Sequence, residues 1–412
     1  MKNRDAYIVY LILEGLFALF FYTIITVNMV YQVEVAKLNP LQLVLVGTAL
    51  EVSAFLFQVP TGIIADVFSR RMSIIIGVFL TGAGFILEGS IPRFEFILLS
   101  QLGWGIGSSF ISGAEEAWIA DEVGAGNVGK VFLRGAQIGQ CGALIGAAIS
   151  VGLATFSLNL PIILGGASYL ALGIFLLIFM PEHNFQRTQH SERPGWKSMG
   201  QTIFTGLRLV RGRPILLTIL GIALFYGLYS EGFDRLWTAH LLTNFTLPAL
   251  GSLKPVVWFG IIRSAAMLLS IAAAEIVRRR FDTNNNLALA RLLLVMSVLQ
   301  IGSVITFGLA GSFVLALATY WSYSILRSMS DPLYTSWLTR NTNPEVRATV
   351  ISLSGQTDAV GQIVGGPIVG AIGTLLSIRA ALLATGSLLS PVVLLFAQAI
   401  RQSKEQAKAT AE

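Results

Sequence analysis

Charged side chains lie inside long apolar stretches of this sequence, where an unpaired charge is costly. Ionisable residues at such positions usually mark sites that bind ions, protons or charged substrates. Carboxylates outnumber arginines among them, so the chemistry they offer is the binding and release of protons or of cationic small molecules. The set comprises Glu14, Glu115, Glu116, Glu231, Asp234, Arg235, Arg263, Arg327, Asp331 and Asp358.

Spacing within helices predicts how some of these charges are balanced. Glu231 and Arg235 are four residues apart, as are Arg327 and Asp331, so each pair can neutralise itself on one helix face. For Arg327 and Asp331, a structural and a functional role are equally compatible with the spacing. Asp234 shares a face with Glu231, which leaves two carboxylates for one arginine.

The remaining charges are Arg263, Asp358 and a group of three glutamates. Arg263 could balance Asp234, and a carboxylate without a full partner in a low-dielectric cavity suits a proton carrier. Asp358 is expected to serve as an inter-helix hydrogen-bond partner. Glu14 and the adjacent pair Glu115 and Glu116 are expected at similar depth on two helices. Because adjacent helical residues point in different directions, only one of Glu115 and Glu116 can face a cavity squarely. The competing interpretation is that these glutamates are structural and form hydrogen bonds with serine or tryptophan neighbours.

Aromatic residues accumulate on the same segments as the charges. An aromatic face beside a carboxylate suits an organic cation, although lipid-facing positions explain many of these rings equally well. We expect a substrate cavity lined by Tyr22, Gln101, Trp104, Tyr226, Tyr229, Trp321 and Tyr323.

The elements that position these residues are membrane-spanning helices. The chain has 412 residues, of which 54% are hydrophobic and only 12% charged, with a mean hydropathy of +0.72. Residues 135–181 and 292–326 contain no charge, and each run is long enough for two spans of about 20 residues. An all-α membrane fold is therefore predicted. The spans fall near 7–33, 41–66, 72–90, 94–121, 131–156, 159–181, 214–244, 255–279, 287–309, 313–340, 347–373 and 377–400.

The distribution of positive charge predicts the topology. Of the 28 lysines and arginines, only Lys37, Arg93, Lys254 and Arg379 fall on the side opposite the N-terminus, a few others lying within spans. The positive-inside rule then puts both termini in the cytoplasm of a multi-pass protein of the inner (plasma) membrane. The expected division is a bundle at 1–181, a cytoplasmic linker at 182–213, a second bundle at 214–401 and a tail at 402–412.

An internal repeat supports two six-helix halves. "ADVFSRR" (65–71), after the second span, is echoed by "AEIVRRR" (274–280), after the eighth. Two halves of like topology with a substrate site between them are a known transporter design. At one constant offset, further matches pair Trp118 with Trp337, Gln137 with Gln356, Gly142 with Gly361 and Gly146 with Gly365.

The stretch "GIIADVFSRR" (62–71) contains Gly62, Asp66, Arg70 and Arg71. It resembles the signature between the second and third helices of the major facilitator superfamily. The resemblance implies two six-helix bundles with pseudo-two-fold symmetry around a cavity lined by helices 1, 4, 7 and 10. It also implies that the charges latch the halves together on the cytoplasmic side, with Asp121 as the expected partner of Arg70. A solvated loop with topological charges is the alternative. Gly62 is expected to let a neighbouring helix approach closely.

Two further stretches, "SGAEEAWIAD" (112–121) and "EGFDRLWTAHL" (231–241), resemble the twelve-helix drug:proton antiporter group that includes macrolide and tetracycline-resistance transporters. Gln101 stands where such proteins commonly carry a coupling arginine. The resemblance implies a monomeric, proton-coupled exporter of amphipathic or cationic drugs that works by alternating access.

The alternative function is an importer or facilitator of a small metabolite. An enzyme is disfavoured because no His–Asp or similar acid/base cluster appears, and the three histidines are scattered. Neither a metal, a cofactor nor a nucleic-acid partner is expected. The partners predicted are a small-molecule substrate, protons and membrane lipid.

Overall fold

A computed structural model of the chain describes residues 2–124, 126–185, 214–249, 251, 254–280 and 285–409. Within these ranges the regular elements are α-helices, and no strand is present. The helices are α1 (Lys2–Glu34), α2 (Pro40–Val67), α3 (Arg70–Ser90), α4 (Phe94–Ile111), α5 (Ala114–Val123), α6 (Val128–Ala154), α7 (Leu160–Phe179), α8 (Pro214–Asn244), α9 (Val257–Arg280), α10 (Asn286–Leu309), α11 (Phe313–Arg340), α12 (Pro344–Leu375), α13 (Ile378–Leu389) and α14 (Pro391–Ala409).

The predicted all-α membrane fold is confirmed, and its spans match the helices to within five residues, except that α14 extends nine residues past the predicted end at 400. Two spans are interrupted: α4 and α5 meet at Ser112 and Gly113, and α13 and α14 meet at Ser390. Gly113 has φ of 77°, a left-handed conformation that glycine adopts without strain. Among the described residues, 11 segments are long and apolar enough to cross a membrane. Helix α11 is not among them, because its tyrosines, serines and charges lower its hydropathy.

Short polar residues begin several helices. The side chains of Ser69, Ser312 and Ser377 each accept a hydrogen bond from the backbone N–H three residues later, at 3.0, 3.3 and 3.1 Å. Asn285 does the same for α10 at 3.0 Å. Each cap satisfies a backbone donor that has no partner inside its helix.

The chain divides into two compact units. The first unit contains Met1–Leu38, Ala49–Met199 and Pro248–Arg263, and the second contains Asn39–Thr48, Gly200–Leu247 and Ser264–Glu412. In the first unit α1 packs on α6 and α7, and α3 packs on α4 and α7. In the second unit α8 packs on α12 and α13, and α10 packs on α11, α13 and α14. Of the linker predicted at 182–213, residues 186–213 lie outside the described part of the chain.

The glycines of the sequence repeat serve the same packing role in both units. A Cβ added to Gly142 or Gly146 on α6 would collide with the backbone of α1. A Cβ added to Gly361 or Gly365 on α12 would collide with the backbone of α8 in the same manner. Close helix approach therefore requires glycine at these four positions. This requirement explains why the glycines recur at the same sequence offset in the two halves.

Candidate substrate and proton sites

A cavity of about 350 Å³ lies within the second unit, between α8, α11 and α12. Tyrosine rings form much of its wall: Tyr226 and Tyr334 meet edge to face at 5.7 Å, and Tyr229 lies 6.1 Å from Tyr226. The Tyr334 hydroxyl donates to the carbonyl of Ile219 at 2.9 Å, which fixes that ring. The charged residues of the wall are Arg327, Asp331 and Asp358.

Arg327 is held by α8 and by its own helix. Its Nη1 lies 3.0 Å from Oδ1 of Asp234 and 2.7 Å from the hydroxyl of Tyr323. Its guanidinium carbon lies 5.9 Å from the ring centre of Tyr229. The expected self-neutralising pair with Asp331 is wrong. An acid that precedes its base by four residues is the better order on a helix, and here the order is reversed.

The pair with the favourable order does form. Nε of Arg235 donates to Oε1 of Glu231 at 2.8 Å, and both side chains are buried. The predicted pairing of these two residues is confirmed. The expected shortage of positive charge around Asp234 is wrong, because Arg327 of α11 supplies the charge. Arg263, the partner suggested by sequence, lies on α9 in the first unit.

Two carboxylates of the cavity are left without an ion pair in the described part of the chain. Asp331 is exposed to the cavity side of α11, and Asp358 accepts a hydrogen bond from Nε2 of Gln362 at 2.8 Å. The bond of Asp358 lies within its own helix, so the expected inter-helix bond is wrong. With Arg327 already paired to Asp234, the wall of the cavity has excess negative charge.

The predicted cavity residues separate into two sets. Tyr226 and Tyr229 line the cavity of the second unit, and the buried Tyr323 lies beside it with its hydroxyl 3.5 Å from that of Tyr229. Trp321 is not among the lining residues of this cavity. Tyr22, Gln101 and Trp104 belong to the first unit, where Trp104 packs against Phe21 and Phe85 at 5.6 and 5.2 Å and Tyr22 packs against Phe21 at 5.7 Å.

The acidic group predicted in the first unit is assembled around Tyr10. The Tyr10 hydroxyl donates to Oε1 of Glu14 at 2.7 Å. Glu116 accepts a hydrogen bond from the backbone N–H of Gly113 at 3.0 Å and is exposed, so it caps the first turn of α5. Oε1 of Glu115 is buried and has no hydrogen-bond partner in the described structure. The two adjacent glutamates thus diverge, and Glu115 is the one turned inward.

The signature residues between α2 and α3 form a charge cluster in the first unit. Arg70 forms a short ion pair with Asp121, as predicted, and its Nη2 lies 3.5 Å from Oδ1 of Asp66. Nη2 of Arg71 donates to the carbonyl of Leu177 at 2.6 Å. A Cβ at Gly62 would meet no heavy atom within 4 Å, so the close helix approach expected there is wrong for this structure.

Two glutamates of this cluster were not anticipated from the sequence. Glu182 accepts from the Ser69 hydroxyl at 2.6 Å and from the backbone N–H of Arg71 at 3.0 Å. Glu122 accepts from the backbone N–H groups of His183 and Asn184 at 2.6 and 2.9 Å. The chain after α7 is therefore fastened to the start of α3 and the end of α5. Because these bonds join distant parts of the sequence, local spacing gives no sign of them.

Glu88 of α3 was also missed. It is fully buried and is hydrogen-bonded to Asn28, Gln32, Ser100 and Gln101. The available signal was the pair of amides at Asn28 and Gln32, which are four residues apart on one face of an apolar helix. Gln101, expected to line the substrate cavity, instead donates to this carboxylate.

The described part of the chain combines 11 segments long and apolar enough to cross a membrane with buried charged side chains and a cavity that has charged residues in its wall, as expected of a multi-pass membrane transporter. The sequence profile of the Major Facilitator Superfamily matches residues 11–357, and the chain belongs to this family.

One curated relative and several solved structures are similar to the chain. An uncharacterised transporter of this superfamily from Bacillus subtilis (strain 168), YxaM, is 25% identical over 357 residues, which cover 86% of each protein. A bacterial homologue of the human lysosomal transporter Spinster, inward-facing and unoccupied, has a TM-score of 0.73 at 15% identity, with 97% of each chain covered. The nucleoside transporter NupG has a TM-score of 0.74 at 15% identity, with 97% and 99% covered. These structures share the fold.

Proposed function

We propose that this protein is a secondary transporter that exports an amphipathic, positively charged small molecule in exchange for protons by alternating access. The cavity of the second unit carries this proposal. Asp331 and Asp358 stand there without an ion pair to an arginine or lysine among the described residues, beside the rings of Tyr226, Tyr229 and Tyr334. A cation gains from both the carboxylates and the ring faces.

The geometry favours a cation over an anion. Arg327 is the positive group of the cavity wall, and it is already bonded to Asp234 at 3.0 Å and to the Tyr323 hydroxyl at 2.7 Å. An anionic ligand would have to compete with Asp234 for that arginine and would also face two unneutralised carboxylates. A cation needs no such exchange.

The proposed cellular arrangement follows the charge distribution of the sequence. The protein lies in the inner (plasma) membrane with both termini in the cytoplasm. The two bundles are residues 1–181 and 214–401, joined by the segment 182–213 and followed by the tail 402–412. The cluster of Asp66, Arg70 and Asp121 then faces the cytoplasm, where it acts on the conformational equilibrium rather than on the substrate.

The test is uptake of a cationic amphipathic dye by inverted membrane vesicles, before and after addition of a protonophore. We expect accumulation that collapses with the proton gradient. The double substitution D331N and D358N removes both unneutralised charges at almost constant volume, and we expect it to abolish accumulation. D5N, at an exposed residue of the first turn of α1, is the matched control and is expected to transport normally.

The same vesicle assay distinguishes drug export from the alternative function, which is import of a small metabolite. Nucleoside and peptide transporters share this fold, so a nucleoside and a dipeptide belong in the same panel. Uptake of either one without any dye accumulation would favour an importer or facilitator of a small metabolite. Dye accumulation that is unchanged by the double substitution would mean that the cation binds elsewhere.

A further inference from the structure

A second buried site lies in the first unit, around Glu88 near the end of α3. The side chain has no exposed surface. Its Oε1 accepts N–H bonds from Asn28 and Gln32 of α1, both at 2.8 Å. Its Oε2 accepts from Nε2 of Gln101 and from the hydroxyl of Ser100 on α4, at 3.0 and 3.2 Å. Four donors from two neighbouring helices thus converge on one carboxyl group.

These donors are all uncharged. The titratable group in contact is Tyr31, whose hydroxyl donates to the backbone carbonyl of Glu88 at 2.7 Å. On the side of α7, the next residue Gly89 faces Ile162 and Ile163. No lysine, arginine or histidine forms an ion pair with Glu88 in the described part of the chain. An ionised carboxylate would therefore be held by dipoles alone, which is a costly state in a dry interior.

The amide side chains around Glu88 have free acceptor oxygens that could bind its protonated, uncharged form. Oε1 of Gln32 and Oε1 of Gln101 are buried and have no hydrogen-bond donor in the described structure. A protonated carboxyl group has an O–H that needs an acceptor. Rotation of either terminal amide by half a turn would present its oxygen to that O–H. The network can thus satisfy both protonation states of Glu88, which a purely structural hydrogen-bond network does not require.

We propose that Glu88 is a proton-binding site of the first unit and that it couples proton movement to transport. The step is the transfer of one proton from water to a carboxyl oxygen and its later release, and no other bond forms or breaks. The inference rests on the proposed proton-coupled function. It assigns the proton to a site separate from the carboxylates of the substrate cavity, so substrate and proton need not compete for one group.

The test is infrared spectroscopy of the purified protein across a pH series, together with the pH profile of dye uptake. The variant E88Q keeps the size of the side chain, and E95Q at the exposed Glu95 of α4 is the matched control. We expect the carboxylic-acid absorption to contain a titrating component that is present in the native protein and in E95Q and is absent from E88Q. Dye uptake by E88Q should lose its pH dependence, while that of E95Q should keep it.

Either of two results overturns the proposal: a titrating band that is the same in E88Q, or a normal pH profile of uptake in that variant. Should E88Q fail to fold, Q101L removes one donor and is expected to move the midpoint of the band, and an unmoved midpoint would contradict the assignment. The infrared measurement needs no substrate. It therefore stays decisive if the native protein transports no dye, a result that would refute only the proposed function.

Discussion

Gly47 of α2 offers the sharpest test of the packing in the second unit. It faces the ion pair of Glu231 and Arg235, whose atoms Oε1 and Nε are 2.8 Å apart. A Cβ added at Gly47 would overlap both of these atoms and lie 2.7 Å from Cδ of Glu231. Glu231 and Arg235 are 4% and 8% exposed, so their side chains have little room to retreat. We therefore predict that G47A displaces the carboxylate from the guanidinium.

The magnitude follows from opposing terms. Alanine in place of glycine inside a helix stabilises by about 0.5–1 kcal/mol. Breaking a buried ion pair costs about 3–5 kcal/mol when a partner is removed, and a displaced but present partner should cost less. We expect a net loss of about 2–3 kcal/mol for G47A. Gly62 lies on the same helix with open space around it, so G62A should stabilise by about 0.5–1 kcal/mol.

The assay is thermal unfolding of the purified native protein, G47A and G62A in one detergent. A difference of about 3 kcal/mol between the variants corresponds to roughly 5 °C in midpoint. The double variant G47A with E231D shortens the acid by one methylene and should recover part of the loss, because the two changes act on one contact. Equal midpoints for G47A and G62A would refute the reasoning.

Two further predictions concern contacts within single units. D121N removes one partner of Arg70 but leaves Asp66, whose carboxylate is 3.5 Å away. Because this cluster is partly exposed, we expect D121N to lower the stability by less than about 1 kcal/mol. The rate of dye uptake should fall several-fold while the dye affinity stays unchanged. An unchanged rate would refute the role of this cluster as a latch. G142A and G361A should each destabilise by about 1–3 kcal/mol, because the added Cβ meets the backbone of the facing helix. Thermal unfolding checks this, and a midpoint equal to that of the native protein would contradict it.

The helical spans could be predicted because the bilayer imposes a length and a composition that the sequence shows directly. The span expected at 313–340 coincides with α11, and that expected at 72–90 begins only two residues inside α3. The breaks inside two spans could not be predicted in this way. At Gly113 the backbone turns left-handed while the sequence stays apolar on both sides, so an apolar window passes over the break.

Charge pairing was predictable from residue spacing only where it is local, whereas the distant pair of Arg70 and Asp121 was expected from the family resemblance. Glu231 and Arg235 are on one helix in the favourable order, and they pair. Arg327 finds Asp234 on another helix, and no spacing rule anticipates a partner that is far away in the sequence. Glu88 illustrates the same limit, because its partners on α1 are 56 and 60 residues away. Tertiary packing decides such contacts.

The two units share their backbone packing but not their electrostatics. Gly142 and Gly361 permit the same close helix approach in each half, and this requirement depends on backbone geometry alone. The carboxylates differ: the buried Glu88 of the first unit is held by uncharged donors, whereas the exposed Asp234 of the second is held by Arg327. A repeated scaffold thus constrains helix contacts and leaves the cavity side chains free to diverge. The proposed division of labour, with the proton on Glu88 and the cation in the tyrosine-lined cavity, uses that freedom.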